Sequence, residues 1–396
     1  MIKKLFTLFK LGRKLAKSDA LSIATKFIKP PLTIKILFKI IGFSFTNKNK
    51  VHPNDDSEEK KLSNSLQSMG TTFIKLGQFL ATRPDIIGER LAKDLEKLQD
   101  KLPSFSKNEA SQILKNEFGK ETFQNIYEFS EPVAAASIAQ VHFAKIKDNG
   151  VYKEVAIKIL RPSIKKIFNE ELDALMLLAY IIENTVKKTK RLKLIEVVYL
   201  LKEITNIEMD LRFEAAAANE LYENTKSDIG FIVPKIYWNF TTQKILTLDK
   251  IEGIPIRETE KLTKSGIDTK KISKNLIQHF LRQAVRDGFF HADMHQGNIF
   301  INKNGDIVTV DFGIMGRLDK LNRRYLAEIL YGFINRDYKK VAEVHFIAGL
   351  ISKKFSIEEF AQSLRSIGEP IFGQSIKDIS GGKLLKQLFD NTEKFD

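Results

Sequence analysis

Apolar residues recur at helical spacing in several stretches of the chain. In the stretch 62–98, large apolar residues fall on one helical face: Leu66, Met69, Phe73, Leu76 and Leu80. This periodicity predicts a helix, which breaks near Arg83-Pro84-Asp85 because proline ends helices. Residues 172–182, 194–222 and 272–287 are predicted to be helical as well, and so is the chain beyond Arg317 to its end.

Short runs rich in β-branched residues predict the strands of two hairpins. The runs 138–147 and 153–160 flank the turn Asp148-Asn149-Gly150, and the runs 298–301 and 307–310 flank the turn Asn304-Gly305-Asp306. After Pro234, residues 235–240 and 244–251 are predicted to be two further strands that complete a five-stranded sheet. Glu252-Gly253 is the predicted hinge before a region rich in helices.

Composition and charge add to this picture of helices and hairpins. The 396 residues, 43% of them hydrophobic, are enough for two or three domains or for one two-lobed enzyme with a sizeable core. The net charge of +15 predicts an anionic partner. Cysteine is absent, so disulfides and thiolate metal sites are excluded. The best candidate for a membrane span, residues 32–43, is interrupted by Lys35 and Lys39, so no transmembrane helix is predicted.

Residues 1–50 are rich in Lys and Arg and contain a single acid, Asp19. Apolar and basic residues alternate at roughly helical spacing, which favours basic amphipathic helices on an anionic membrane surface. Two alternatives remain: helices that pack on the rest of the protein with their lysines in water, or an organelle transit peptide. Residues 47–62 are polar and are predicted to be a linker or an exposed loop.

The second hairpin carries the strongest chemical pattern in the chain. Asp293 precedes its first strand, Asn298 begins that strand, and Asp311 of an Asp-Phe-Gly triplet follows its second strand. Protein kinases use a catalytic-loop Asp, an Asn five residues later and a DFG Asp, of which the last two hold Mg²⁺ against nucleotide phosphates. A lone Asp-Phe-Gly is common in turns, but the three residues at this spacing predict kinase chemistry. Asp293 is a predicted catalytic residue, and Asn298 and Asp311 are the predicted metal ligands.

The first hairpin supplies the matching phosphate contacts. Lys158 ends a Val-Ala-Ile-Lys strand, as the phosphate-contacting lysine of kinases does. A loop of small residues, Ala134-Ala135-Ala136-Ser137, is predicted in the place of a glycine-rich flap, although an Ala-rich helix start is an alternative. Glu214 is predicted to pair with Lys158, since small residues follow it. The residues before it, Glu208 and Asp210, read equally well as ordinary surface acids.

Two histidines of the catalytic stretch need a separate interpretation. A zinc site built from His291 and His295 is disfavoured, because a loop-to-strand context does not suit an i, i+4 histidine pair. His291 is predicted to brace the backbone, and His295 is predicted to lie at the edge of a pocket. Ala292 stands where most kinases have the arginine that anchors a phosphorylated activation loop, so regulation of that type is not expected.

Taken together, these motifs resemble the UbiB family of atypical kinase-like proteins, which is associated with ubiquinone biosynthesis. The similarity covers residues from about 60 to the end and includes Lys75-Leu76-Gly77-Gln78, the Ala-rich loop, Val-Ala-Ile-Lys, Glu208 with Asp210, the 291–298 stretch and Asp-Phe-Gly. It implies that Lys75 and Gln78 reach the active site and contact the two acids. It also implies that the nucleotide is bound by Lys158, Glu208, Asp210 and the loop with its flanks: Val133, Ala134, Ala135, Ala136, Ser137, Ile138, Ala139, Gln140 and Val141.

The resemblance implies an α+β, protein-kinase-like two-lobe fold with an antiparallel-sheet N-lobe, a helical C-lobe and an N-terminal helical extension. Residues 1–50 would form the membrane-surface segment, 51–120 the extension, 121–251 the N-lobe with a helical insert, and 252–396 the C-lobe. Family members continue into further helices with a membrane-spanning C-terminus, so the chain is expected to be a short form or a fragment.

The resemblance further implies an Mg-ATP-binding atypical kinase or ATPase that supports ubiquinone biosynthesis, with ATP and Mg²⁺ as cofactors. The expected partners are anionic membrane lipid, prenylated quinone precursors and other enzymes of ubiquinone biosynthesis, but not nucleic acid, because the basic residues form no recognised nucleic-acid module. The expected location is peripheral to the inner membrane on the cytoplasmic side, or mitochondrial in a eukaryote. Two alternatives stay open: a small-molecule phosphotransferase of the aminoglycoside or choline kinase type, and a non-catalytic nucleotide-dependent scaffold.

Overall fold

The structure is a computed structural model that describes residues 59–83, 87–96, 98, 102–185, 190, 192–352, 354–372, 387–388, 390–392 and 394–395. The chain divides into two compact units. The first comprises Met1–Ala216 with Lys235–Ile251, and the second comprises Ala217–Pro234 with Glu252–Asp396. After its return to the first unit at Lys235–Ile251, the chain passes into the second unit again at the predicted hinge, Glu252-Gly253. The predicted membrane-surface segment, residues 1–50, lies outside the described residues.

The elements of the described residues are helices for the most part. The helices are α1 Glu59–Met69, α2 Thr71–Ala81, α3 Glu89–Leu95, α4 Lys107–Phe123, α5 Ile164–Thr185, α6 Leu194–Glu208, α7 Leu211–Thr225, α8 Thr259–Lys264, α9 Thr269–Leu281, α10 Lys320–Ile334, α11 Tyr338–Ile347 and α12 Ile357–Gly368. The strands are β1 Ile126–Tyr127, β2 Pro132–Ala135, β3 Ala139–Asp148, β4 Val151–Leu160, β5 Phe231–Ile232, β6 Ile245–Asp249, β7 Ile254–Pro255, β8 Phe289–His291, β9 Ile299–Ile301, β10 Ile307–Thr309 and β11 Met315–Arg317.

The first unit contains a five-stranded antiparallel sheet in the order β1-β3-β4-β6, with β2 also paired to β3. The β3–β4 hairpin turns at Asn149 and Gly150, whose φ angles of 49° and 82° are both positive, as a two-residue hairpin turn requires. Alternate residues of β4, Val155, Ile157 and Ile159, are fully buried and form a core with α4. The predicted hairpin is therefore confirmed, and α4 covers the sheet face that its alternation marks as apolar.

Three predicted elements of this unit are wrong in detail. Residues 235–240 are not a strand: Ile236 makes one isolated bridge to Leu248, and Trp238–Phe240 is a 3₁₀ turn. Two strands of the sheet, β1 and β2, come instead from the chain before β3. The predicted helix 194–222 ends at Glu208 and restarts at Leu211, and the predicted helix 62–98 is interrupted at Gly70, whose φ of 101° no other residue adopts easily.

The second unit contains a four-stranded sheet in the order β5-β10-β9-β7 and a separate β8–β11 pair. The predicted β9–β10 hairpin is confirmed, and Ile307 lies opposite Ile301 and Thr309 opposite Ile299. Beyond β11, helices α10 to α12 pack around Tyr338 and Phe360, in agreement with the predicted helical end as far as the described residues extend. Across the part of the chain that the structure describes, no helix has both the length and the apolar character needed to cross a membrane.

Candidate functional site

A lysine and a glutamate of the first unit form a close ion pair. Lys158 lies on β4 between Val141 of β3 and Leu246 of β6, and Glu214 lies in the first turn of α7. The Lys158 Nζ donates to both carboxylate oxygens of Glu214 at 2.8 and 2.9 Å, and the side chains are only 15% and 9% exposed. Ala215, which is fully buried, lets the helix pack closely beside this pair. The structure thus joins the two residues that the sequence predicted to pair.

The segment of small residues before β3 is only partly a loop. Ala134 and Ala135 belong to β2, which pairs with β3 through Ala134 opposite Val141 and Ala135 opposite Gln140. The prediction of a loop throughout 134–137 is therefore wrong for its first half. The Ala136 N–H donates to the Ala139 carbonyl at 2.8 Å, so Ser137 and Ile138 form the tip of a tight β2–β3 hairpin.

The predicted nucleotide-binding residues therefore lie along this hairpin. Val133 and Ala134 are exposed, Ala135, Ala136 and Val141 are half-buried, and the remaining four are buried: Ser137, Ile138, Ala139 and Gln140. A hairpin of this kind is also how kinases present the flap that covers the phosphates, because its tip carries backbone amides at close approach. The position agrees with the prediction, while the nucleotide-binding role stays a prediction.

The helical extension contributes a second ion pair to the first unit. The Lys75 Nζ on α2 lies 2.9 Å from the Glu208 Oε2 at the end of α6, and both side chains are less than a fifth exposed. Gln78 is half-buried one turn further along α2. Gly77 between them is buried, and a Cβ atom there would overlap the Leu98 side chain. Glycine at this position therefore lets α2 pack against the chain around Leu98.

Asp210 has a different partner from the one that the family resemblance implied. Its carboxylate accepts from the Arg212 side chain, from Nε at 2.9 Å and from Nη2 at 2.6 Å, and from the Arg212 backbone N–H at 3.1 Å. These hydrogen bonds favour the charged form and hold the pKa of Asp210 below its usual value. Lys75 thus contacts Glu208, whereas Asp210 is held by Arg212 and caps the start of α7.

The catalytic stretch of the second unit is held together by Asn298 and His291. The Asn298 Nδ2 donates to the Asp293 carbonyl at 3.1 Å and lies 3.4 Å from its Oδ2. The Asp293 backbone N–H donates to the His291 Nδ1 at 3.2 Å, so the other ring nitrogen carries the proton and donates to the Val310 carbonyl at 3.2 Å. His291, which is buried, braces two backbone segments, as predicted.

Asp311 follows the second strand of the hairpin in an unusual backbone conformation. The Val310 N–H donates to the Asn298 carbonyl at 3.0 Å, which continues the β9–β10 ladder up to the residue before Asp311. Asp311 has a φ of 61°, in the left-handed region, and is exposed, while the following Phe312 is buried and packs edge-on against His291. Such a conformation costs about 1–3 kcal/mol in a non-glycine residue, and strained residues of this kind cluster at functional sites.

The donor atoms of this stretch fit Mg²⁺. The Nδ2 atom of Asn298 donates to Asp293, so the candidate oxygen ligands of this stretch are the Asn298 Oδ1 and the Asp311 carboxylate. Among the residues that the structure describes, no cluster of three or more His, Cys, Asp or Glu side chains forms a metal cage. Mg²⁺ does not need one, because it is usually held by one or two protein oxygens together with waters and substrate phosphates.

His295 lies beside Asp293 in the second unit. The His295 Nδ1 accepts from the Gly297 N–H at 2.9 Å, and its exposed ring lies 3.8 Å from the Asp293 carboxylate. Its position beside Asp293 agrees with the predicted edge role.

Arg161, in the first unit, was not predicted: it hydrogen-bonds the Ala136 carbonyl of the β2–β3 hairpin. An arginine three residues after the strand lysine was the available signal, but the residues that it contacts are distant in sequence.

The strand lysine with its helix glutamate, the Asp-Asn catalytic stretch and the left-handed Asp-Phe-Gly aspartate define a kinase-like fold. The ABC1 atypical kinase-like domain matches residues 97–345, and the UbiB helical domain matches residues 364–396. The chain belongs to this ABC1/UbiB family of atypical kinase-like proteins. The family assignment and the kinase-like fold that the sequence predicted are thereby confirmed.

Two curated relatives have the name "Probable protein kinase UbiB". The chain is 35% identical to the one from Marinobacter nauticus over 371 residues, and 36% identical to the one from Azotobacter vinelandii over 341 residues. These alignments cover 92% and 85% of the chain but 66% and 63% of the relatives, so the chain spans about two thirds of their length. A solved structure, the Rv3197–erythromycin complex from Mycobacterium tuberculosis, is 26% identical with a TM-score of 0.48, over 75% of this chain and 74% of that one.

Proposed function

We propose that the chain is an Mg-ATP-binding atypical kinase or ATPase. The observation that carries this proposal is the ion pair between Lys158 and Glu214, in which both carboxylate oxygens lie within 2.9 Å of the ammonium. Such a pair fixes a cation on a strand where it can hold nucleotide phosphate. Burying an ion pair costs desolvation free energy, and a role in phosphate binding accounts for that cost. Membership of a kinase-like family supports the same reading.

The residues of the second unit suit the remaining steps of phosphoryl transfer. Asp293 would accept a proton from, or orient, the attacking hydroxyl or water, because its carboxylate is partly exposed and its backbone is fixed by His291. The Asn298 Oδ1 and the Asp311 carboxylate would hold Mg²⁺, which would neutralise charge on the phosphates. The strained backbone of Asp311 would keep its carboxylate in position before the nucleotide binds.

The cellular task that we propose is support of ubiquinone biosynthesis at a membrane surface, with prenylated quinone precursors as the lipids acted on. The "UbiB" name of the curated relatives supports the pathway. The net charge of +15 and the basic residues 1–50 support anionic lipid as a partner. ATP turnover would be coupled to making these poorly soluble intermediates accessible to other biosynthetic enzymes.

ATP hydrolysis measured on liposomes tests the proposal. We expect Mg²⁺-dependent turnover that rises with anionic lipid and with quinone-precursor lipid. Asp311→Asn should lower this turnover strongly, because the metal would lose a charged ligand. The control is Asp306→Asn in the same hairpin, where Asp306 accepts a hydrogen bond from Asn302 and should leave turnover unchanged.

The same assay separates the alternatives. Equal turnover in Asp311→Asn and in the parent chain would contradict the metal assignment. Transfer of labelled γ-phosphate to a soluble alcohol or aminoglycoside would favour a small-molecule phosphotransferase. Nucleotide-induced thermal stabilisation without any turnover would favour a scaffold.

A further inference from the structure

Arg161 joins the tip of the β2–β3 hairpin to a distant part of the first unit. It directly follows β4, three residues after Lys158. Its Nε and Nη2 donate to the Ala136 carbonyl at 3.0 and 2.8 Å. Its Nη1 donates to the Pro103 carbonyl at 2.8 Å, and Nη2 also lies 3.4 Å from the Leu102 carbonyl. One guanidinium thus bonds the hairpin and the connector 102–105 that precedes α4.

The hairpin and this connector share a second contact. Gln140 on β3, which is fully buried, accepts from the Phe105 N–H at 2.9 Å and donates to the Phe105 carbonyl at 3.1 Å. Arg161 and Gln140 therefore hold the connector at both of its ends. The Arg161 backbone N–H also donates to the Ile138 carbonyl at 2.8 Å, so the side chain and the main chain of one residue fix both sides of the hairpin tip.

These contacts require an arginine rather than any cation. The guanidinium has five donors in a rigid plane, so it can donate to carbonyls in two directions at once. A lysine ammonium is a compact point charge on a flexible side chain and lacks this planar arrangement of donors. Each carbonyl that Arg161 engages is directed towards the guanidinium. The Ala136 carbonyl is consequently fixed, and a fixed carbonyl determines the orientation of the peptide that leads into Ser137.

We propose that Arg161 is a positioning residue for nucleotide binding. It holds the hairpin tip, Ser137-Ile138, in one conformation, so that the tip does not have to be ordered when phosphate binds. Because the same side chain holds the connector, nucleotide binding at the hairpin also protects residues 102–105. This inference rests on the proposed function, since it assumes that the hairpin contacts a nucleotide.

The test compares Arg161→Lys with Arg324→Lys. Arg324 forms an exposed pair with Glu328 within α10, so its replacement is a matched loss of a guanidinium away from the hairpin. We expect Arg161→Lys to weaken Mg-ATP binding about tenfold by calorimetric titration and to raise KM more than it changes kcat, as for the loss of one hydrogen bond to a charged group. Arg324→Lys should bind like the parent chain. A purely stabilising arginine would lower Tm but leave the affinity well below Tm unchanged.

Hydrogen exchange in the parent chain provides a readout that needs no variant to fold. Saturating Mg-ATP should slow amide exchange in both 132–139 and 102–106. The two peptides should gain this protection over the same range of nucleotide concentration. Protection confined to 132–139 would overturn the inference.

The outcomes separate this inference from the proposed function. If the parent chain binds no nucleotide, the proposed function fails and the inference fails with it. If the parent chain binds Mg-ATP and Arg161→Lys binds it equally well, only the inference is overturned. Weaker binding by Arg161→Lys, with Arg324→Lys unchanged and both peptides protected, supports both.

Discussion

Replacing Glu214 with Gln tests the ion pair on which nucleotide binding is proposed to depend. The Lys158 Nζ lies 2.8 and 2.9 Å from the two carboxylate oxygens. Unit charges about 3 Å apart attract by about 5 kcal/mol at an effective dielectric constant of about 20, and desolvation offsets part of this. Glutamine keeps one acceptor but loses the charge, so we expect a loss of about 2 kcal/mol in the free energy of unfolding.

The functional effect should be of similar size and should be coupled to the lysine. We expect Glu214→Gln to weaken Mg-ATP binding about 30-fold, which corresponds to about 2 kcal/mol. Lys158→Met should weaken binding more, and the double variant should be little worse than Lys158→Met alone, because the glutamate acts through the lysine. The assay is a double-mutant cycle with calorimetric Mg-ATP titrations and urea unfolding curves.

A neighbouring ion pair of the same unit serves as the control. The Lys202 Nζ lies 2.8 Å from the Asp173 Oδ1, but these side chains are 34% and 35% exposed. Asp173→Asn should therefore cost no more than about 1 kcal/mol of stability and should leave nucleotide affinity unchanged. Fully additive effects of Glu214→Gln and Lys158→Met on affinity, or an effect of Asp173→Asn as large as that of Glu214→Gln, would refute the reasoning.

Three further predictions concern other parts of the fold. Glu208→Gln and Lys75→Met should each lower stability by about 1–3 kcal/mol, since each leaves a mostly buried charge without its partner, and additive losses in urea unfolding of the double variant would contradict the pairing. Gly253→Ala should lower Tm, because a Cβ there would lie 2.9 Å from the Ile301 carbonyl, and an unchanged Tm would show that the strand shifts at no cost. Burial lowers the pKa of His142 below 6.5, so its contribution to stability is present at neutral pH and is lost as pH falls below about 6.5. The parent chain should thus lose more unfolding free energy between about pH 7.5 and 5.5 than His142→Asn, and equal losses would exclude this cause.

The hairpins were predictable because their signals are local. Asn149-Gly150 and Gly305 mark turns whose conformations few other residues adopt, and alternating apolar residues on either side set the register. The predicted site residues near these hairpins follow directly, since register fixes which residue precedes or follows each strand. Asp293 and Asn298 are joined for this reason, and so are the backbones of Asn298 and Val310.

The errors arose where a local pattern continues through a change in structure. The apolar period runs through Met209 and Asp210, yet the Asp210 carboxylate accepts from the Arg212 N–H and starts a new helix there. Aspartate is a preferred N-cap residue, so Asp210 was a signal in the sequence that a new helix begins there. The residues after Pro234 alternate like a strand, but Ile236 makes only an isolated bridge, and the sheet obtains two strands, β1 and β2, from the chain before β3 instead.

Partners that are distant in sequence could not be predicted from spacing. The Lys158–Glu214 and Lys75–Glu208 pairs join residues 56 and 133 positions apart. The first pair was suggested by the kinase pattern as a whole, and the second was suggested only by the resemblance to a known family. The contacts of Arg161 with the 102–105 connector have no counterpart in any motif. They depend on the side chain's direction at the end of β4, which packing decides.

The central claim is that Asn298 and Asp311 hold a divalent cation for a nucleotide. The most direct measurement is a crystal structure of the chain with Mn²⁺ and a non-hydrolysable ATP analogue, in which Mn²⁺ is located from its anomalous scattering. We predict an anomalous peak within about 2.3 Å of both the Asn298 Oδ1 and the Asp311 carboxylate, since Mn²⁺ prefers the same oxygen ligands as Mg²⁺. Bound analogue with no peak at these two side chains, or with Mn²⁺ held elsewhere, would contradict the account.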